Sequence, residues 1–123
     1  MAKSIKDILI QNLHTRVNGS LWLESDNGRF LGPGPIELLE RIAETGSISM
    51  GAKEMGMSYK KAWGLINVLN AQMNSPAVIP QAGGEKGGGS TITPEAKELI
   101  KYHRLLRERF DEFLEGETKR LNI

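Results

Sequence analysis

Apolar and polar residues alternate near the start of the chain. Between residues 13 and 25 most polar side chains fall at even positions, whereas Leu13, Val17, Leu21 and Leu23 fall at odd positions. A period of two is typical of a strand with one buried face. The alternation passes through Asn18-Gly19 without a change of phase, so we predict one long strand over residues 13–25. With a turn and a short return strand, this gives a β-hairpin over residues 13–31, after an N-terminal extension of residues 1–12.

The middle of the chain changes to helical spacing. Apolar residues three and four apart predict three helices within residues 35–74. The first starts at Pro35 and stops at Gly46, and Ser47 and Ser58 are suited to cap the second and third. Gly56 separates these two helices, which makes them a helix-turn-helix candidate. The inward stripe of the third helix is predicted to be Ala62, Ile66, Leu69 and Met73.

Residues 82–91 form a glycine-rich stretch, AGGEKGGGST, with five glycines in ten positions. A phosphate-binding loop needs G-x-x-x-x-G-K-[ST] at the opening of a helix, but here Ser90 takes the place of the lysine. A linker is disfavoured because only a few residues separate two strand-like segments. We interpret the stretch as the tip of a hairpin over residues 77–93, a wing whose bare backbone can approach phosphate beside Lys86. A loose turn without a partner is the alternative.

The last predicted helix has a strong start, Thr93-Pro94-Glu95, and runs over residues 94–115. Its apolar residues are spaced three and four apart, as in a seam between two helices. A single helix that covers a core shows similar spacing. We predict a homodimer through this helix, and the candidate interface residues are Leu99, His103, Leu106, Phe110 and Phe113.

Composition narrows the function. With 123 residues, of which 39% are hydrophobic and 25% charged, the chain is typical of one globular domain. Its predicted strands and helices make the fold class α+β, mostly α. The absence of cysteine fits a cytoplasmic protein, and no apolar run suggests contact with a membrane. His14 and His103, the two histidines, lie far apart in the sequence. We therefore predict no metal site, no cofactor and no enzymatic activity.

Charge is informative locally, although the net charge is only +1. The third helix begins with two lysines, and its N-terminal N–H groups and dipole attract phosphate. Tyr59, Lys60 and Asn67 are placed to reach base edges. Trp63 either packs on the preceding helix or the wing, or contacts DNA directly. The candidate DNA-binding residues are Ser47, Ser58, Tyr59, Lys60, Lys61, Trp63, Asn67, Lys86, Gly87 and Gly88. A solvated face that happens to hold two lysines is the alternative.

Residues 46–70, GSISMGAKEMGMSYKKAWGLINVLN, closely resemble the N-terminal DNA-binding domain of the ModE family of bacterial molybdate-responsive transcriptional regulators. The shared features are GSIS, GAKxxG, SYKxAW and the following LN. IELLERIAETG ahead of them and the wing GGxKGGGS also match, so the resemblance spans about residues 13–115. It is similar, more distantly, to the LysR-type winged helix. The resemblance implies a dimeric winged helix-turn-helix protein that binds double-stranded DNA and controls genes for molybdenum transport or utilisation.

The chain also departs from this family. Glu85 adds a negative charge to the wing, and Pro80 and Gln81 stand where relatives often carry arginine. The family regulators continue into molybdate-binding domains, which have no counterpart in residues 1–123. We therefore expect a single domain with no molybdate ligand in it, and a separate effector-binding protein is a candidate partner. A winged-helix module that binds a protein and has lost DNA binding is the alternative function.

Overall fold

The computed structural model describes residues 3–81 and 89–122. It is mostly helical, with two small antiparallel strand pairs and a long last helix. The elements are α1 (Ile5–Ile8), β1 (Leu23–Ser25), β2 (Gly28–Leu31), α2 (Pro33–Thr45), α3 (Ile48–Glu54), α4 (Tyr59–Asn70), β3 (Val78–Gln81), β4 (Gly89–Ile92) and α5 (Pro94–Leu121). Across the described residues, no helix combines the length and the apolar composition that a membrane span requires.

One hydrophobic core joins α2, α3 and α4 to β2, the β3–β4 pair and the first half of α5. Its largest fully buried side chains are Leu31, Leu38, Leu39, Ile42, Ile66 and Leu69. The helices α2 and α3 pack closely, since a Cβ atom added at Gly51 would lie 3.4 Å from the side chains of Arg41 and Ile42. This packing fixes α3, and through it the turn that leads to α4.

The hydroxyl caps predicted from the sequence are confirmed. The side chains of Ser47, Ser58 and Thr93 accept hydrogen bonds of 3.0–3.2 Å from the backbone N–H three residues further on. Each such cap stabilises its helix by about 1 kcal/mol. Helix α2 begins at Pro33, two residues before the predicted bound of 35, and Pro35 lies in its first turn as the sequence predicted. Gly32 precedes it, where any side chain would overlap the ring of Trp22.

The long strand predicted over residues 13–25 is wrong. Only Leu23–Ser25 forms a strand, paired with β2, so the hairpin covers residues 23–31 and not 13–31. The alternation is nevertheless present in the burial. Thr15, Val17 and Gly19 are half-buried, whereas Arg16 and Asn18 between them are exposed.

The segment before β1 lies along α5 instead of pairing with a strand. The side chain of Asn122 donates to the carbonyl of Thr15 at 2.9 Å, and the hydroxyl of Thr118 accepts from the amide of Val17 at 2.9 Å. Arg107 donates to the carbonyl of Gly19 at 2.9 Å. Helix side chains therefore satisfy backbone groups that a neighbouring strand would otherwise bond.

Helix α5 continues to Leu121, six residues beyond the predicted end at 115, and the segment before β1 packs against this extra length. Its buried residues are Ala96, Ile100, His103 and Leu114. His103 is only 6% exposed, so it belongs to the inward face of the monomer. Its place in the predicted dimer seam is therefore wrong. The stripe looked like one seam because two adjacent faces of the helix are both apolar.

Strands β3 and β4 pair in antiparallel register within the predicted wing, with Val78 opposite Ile92 and Gln81 opposite Gly89. Residues 82–88 between them, which include the predicted contacts Lys86, Gly87 and Gly88, lie outside the described residues. The amide of Ser90 donates to the carbonyl of Gly46 at 2.8 Å. The strand pair is therefore anchored to the turn between α2 and α3.

Candidate nucleic-acid interface

A tight turn joins α3 to α4. Gly56 adopts a left-handed conformation with φ 67°, which favours glycine, and its amide donates to the carbonyl of Lys53 at 3.0 Å. The amide of Met57 donates to the carbonyl of Ala52 at 3.0 Å. Ser58 then caps α4. The backbone bonds of the turn leave little freedom in the angle between α3 and α4, which form a helix-turn-helix.

Helix α4 buries one stripe and exposes the opposite one. Ala62, Ile66 and Leu69 are at most 2% exposed, as the sequence predicted. The opposite side carries the predicted contact residues, which are all exposed: Ser58, Tyr59, Lys60, Lys61, Trp63 and Asn67. The structure therefore brings these six side chains together on one solvent-facing surface, which we call the α4 surface.

The aromatic residues of the α4 surface contact each other. The rings of Tyr59 and Trp63 meet edge to face, with 6.2 Å between centroids and 82° between planes. Trp63 is 36% exposed and lies outside the core cluster. At 36% exposure, most of the Trp63 side chain is covered and part of it faces solvent, so packing and direct contact with DNA both stay predictions.

The charges near the helix-turn-helix favour an anionic partner. Between Ser58 and Asn70 the sequence has two lysines and no acid. Glu54, at the end of α3, is bound by Arg41 at 3.0 Å, and Arg41 also binds Glu37 at 3.0 Å. The hydrogen bonds to Glu54 and then Glu37 raise the pKa of Arg41 above its ordinary value. Glu54, the acid closest in sequence before α4, is therefore paired with Arg41 of α2.

Ser47 and Ser58, the two serines among the predicted DNA-binding residues, each cap a helix. Ser47 is half-buried and caps α3, whereas Ser58 is exposed and caps α4. In both cases the hydroxyl oxygen accepts a backbone hydrogen bond, which leaves the hydroxyl proton free to donate. Ser58 is therefore placed to donate to a phosphate at the N-terminus of α4, where the helix dipole also favours negative charge.

Sequence reasoning missed one exposed apolar side chain on this surface. Val68 is 48% exposed, one helical turn after Gly64. The signal was available, because Val68 precedes the buried Leu69 by one residue and so points about 100° away from it. Single exposed apolar residues are common on protein surfaces, so Val68 matters here only because it lies beside the other exposed residues of α4.

Metal and small-molecule chemistry have less support. Among residues 3–81 and 89–122, no group of three or more His, Asp or Glu side chains is close enough to hold a metal ion. A cleft of about 450 Å³ lies between residues 16–18 and α5 and not on the α4 surface. The cleft is lined in part by Arg107, whose guanidinium group forms an ion pair with Asp111 at 2.9 Å.

Known proteins with similar sequences include bacterial transcriptional regulators. The "DNA-binding transcriptional dual regulator ModE" of Escherichia coli K12 is 42% identical over 89 residues, which are 72% of this chain and 34% of that protein. The "Molybdenum transport protein ModE" of Azotobacter vinelandii is 35% identical over 108 residues, 88% of this chain and 40% of that protein. The chain is a homologue of the ModE regulators. It spans about a third to two fifths of their length.

Three further comparisons add to this relationship. A "Molybdenum-pterin-binding protein MopB" of Rhodobacter capsulatus is 35% identical over 96 residues, 78% of this chain and 36% of that protein. No protein-family model matches the chain. Among solved structures, ArgP from Mycobacterium tuberculosis superposes with a TM-score of 0.50 over 69% of this chain and 30% of that one. At 15% identity this likeness concerns the fold alone.

Proposed function

We propose that the chain is a dimeric winged helix-turn-helix domain that binds DNA sequence-specifically and regulates transcription, with genes for molybdenum transport or utilisation as targets. The observation that carries the proposal is the α4 surface. It combines a capped helix N-terminus, two lysines without a neighbouring acid, and exposed aromatic and amide side chains. The homology to ModE regulators supports the same function.

On this proposal α4 enters the major groove with its N-terminus towards the backbone. Ser58 and the first N–H groups of α4 bind phosphate, which positions the helix without specifying sequence. Lys60 is suited to the acceptors of guanine, and Asn67 is suited to adenine. Tyr59 and Lys61 flank them. In the wing, Lys86, Gly87 and Gly88 would lie near the backbone or the minor groove.

The dimer is proposed to form through the exposed apolar side of α5. Leu99, Leu106 and Phe110 are half-buried in the monomer, and Phe113 is 56% exposed. The exposed Tyr102 and Leu105 widen this surface, whereas His103 faces the core. Two copies joined in this way would present two α4 helices about one DNA turn apart.

A salt titration tests the proposal. Binding of the parent protein to a random duplex should weaken linearly in log K against log salt, because each phosphate contact releases counterions. Lys60→Glu combined with Lys61→Glu should flatten this slope. Lys101→Glu on α5, where Lys101 is exposed and paired with Glu98, is the control and should not change it. A flat slope for the parent protein would contradict DNA binding.

The second candidate is a winged-helix module that binds a protein, such as a separate effector-binding partner. The exposed apolar side chains of Tyr59, Trp63 and Val68 favour it, and so do the net charge of +1 and Glu85. Selection of duplexes from a randomised pool separates the two candidates. Enrichment of one sequence by the parent protein supports DNA binding. The absence of both enrichment and salt-dependent binding to duplex supports the protein module.

A further inference from the structure

Gly64 lies at the centre of the α4 surface. Lys60 is one turn before it and Val68 one turn after it, so the three residues share one side of the helix. All three are exposed. The middle of the surface is therefore bare backbone, bordered by the stem of a lysine and by an exposed valine.

In residues 3–81 and 89–122, nothing in the monomer requires a glycine at this position. Gly64 is not among the glycines with a left-handed conformation, which are Gly28, Gly46 and Gly56. A Cβ atom added at Gly64 would meet nothing within 4 Å, whereas one at Gly51 would touch the neighbouring helix. A glycine inside a helix is less stable than alanine. Within the described residues, the fold would therefore be more stable with alanine here.

A residue that costs stability without a use in the monomer points to a use outside it. We propose that Gly64 is a specificity-determining residue, at which the C5-methyl group of a thymine approaches the bare backbone of α4 in the major groove. This inference rests on the proposed function. It names one contact within the α4 surface that sequence reasoning did not assign.

The residues on either side of Gly64 favour the approach of a methyl group over that of a polar base edge. Val68 is apolar, and the methylene stem of Lys60 is apolar although its ammonium group is charged. Gly64 has no side chain that could donate or accept a hydrogen bond. The thymine methyl is the one apolar group that a base pair presents in the major groove.

The test compares Gly64→Ala with a matched control, Gly116→Ala. Gly116 is also an exposed glycine inside a helix whose added Cβ would meet nothing within 4 Å, and it lies on α5. Both variants should melt roughly 2–4 °C higher than the parent protein, since both remove a helical glycine. Only Gly64→Ala should lose affinity for a duplex selected by the parent protein, by about tenfold or more.

Replacement of single thymines by deoxyuridine identifies the contact. The base keeps its hydrogen bonds and loses only the methyl group. The parent protein should lose about fourfold in affinity at one position, the value of one buried methyl. At that same position Gly64→Ala should regain affinity, because the alanine methyl then fills the space that the thymine methyl left.

Three results would overturn the inference in distinguishable ways. If Gly64→Ala binds the selected duplex as tightly as the parent protein, the close approach is absent. If affinity is lost but no deoxyuridine restores it, the group that approaches Gly64 is not a thymine methyl. If the parent protein selects no duplex, the proposed function fails, and this inference fails with it.

Discussion

Helices α4 and α5 share the same local features but differ in the charged residues that they expose to solvent. Each begins with a capping hydroxyl, buries one apolar stripe and leaves apolar side chains exposed. From Ser58 to Asn70 the sequence contains two lysines and no acid. From Pro94 to Leu121 it contains seven acids and seven bases, which are interleaved along the helix.

This difference in exposed charge suits the two helices to different partners, a polyanion for α4 and a second copy of the chain for α5. A helix surface with charge of one sign repels its own copy and attracts a polyanion. A surface on which both signs interleave around apolar side chains can pair with a second copy of itself, because each charge finds an opposite one across a two-fold axis. Amphipathicity alone would not have distinguished these surfaces. The distribution of charge on the exposed side does.

The largest expected effect tests whether α4 has two distinct sides. Leu69 is 1% exposed and its neighbour Val68 is 48% exposed. Leu69→Ala should lower the free energy of unfolding by about 2–5 kcal/mol, because it leaves a cavity in the core. Val68→Ala should change it by no more than about 0.5 kcal/mol. Chemical denaturation measures both, and similar losses would show that α4 does not lie as described.

The next effect concerns the exposed side of α5. Phe113→Asp should weaken the dimer by about 2 kcal/mol or more, since it places a charge in the proposed seam. Lys101→Asp inserts the same side chain on an exposed position away from the seam and should leave the dimer intact. Sedimentation at tens of micromolar measures both. A parent protein that is monomeric under these conditions would contradict the assignment of α5 to a second copy.

A smaller effect tests the charge of α4. Lys60→Ala and Lys61→Ala should each weaken DNA binding, by about 1–3 kcal/mol for a lysine that contacts a base. A lysine that contacts phosphate should instead reduce affinity for all sequences and lower the salt slope by about 1. Lys101→Ala on α5 is the control. If both α4 variants bind like the parent protein at moderate salt, the comparison between the helices is wrong.

The smallest effect separates the cap of α4 from its surface. Ser58→Ala should cost about 1 kcal/mol of stability, because the amide of Lys61 loses its partner. Ser58→Asp should restore the cap and the stability, since aspartate is an equally good cap. It should nevertheless reduce DNA binding, because its charge repels phosphate. Equal DNA binding by Ser58→Asp and the parent protein would place the phosphate elsewhere.

Interactions between residues close in sequence determined the helix ends and the buried side of α4. The hydroxyl caps at Ser47, Ser58 and Thr93 and the left-handed Gly46 act through bonds between residues close in sequence, so they could be predicted. The inward stripe of α4 follows from helical periodicity in the same way. The exposure of Tyr59, Lys60 and Asn67 follows from that stripe, and their contact with DNA stays a prediction.

Tertiary structure alone decided the features that depend on which surfaces meet. A period of two shows that one side of residues 15–19 is covered, but not that the cover is α5 rather than a strand, because either partner hides alternate side chains. The stripe on α5 was wide enough for two faces, and only its packing against the core shows that His103 faces inward and Phe113 outward. Sequence periodicity specifies the side of an element that is buried. The partner that buries it is set by contacts between residues distant in the chain.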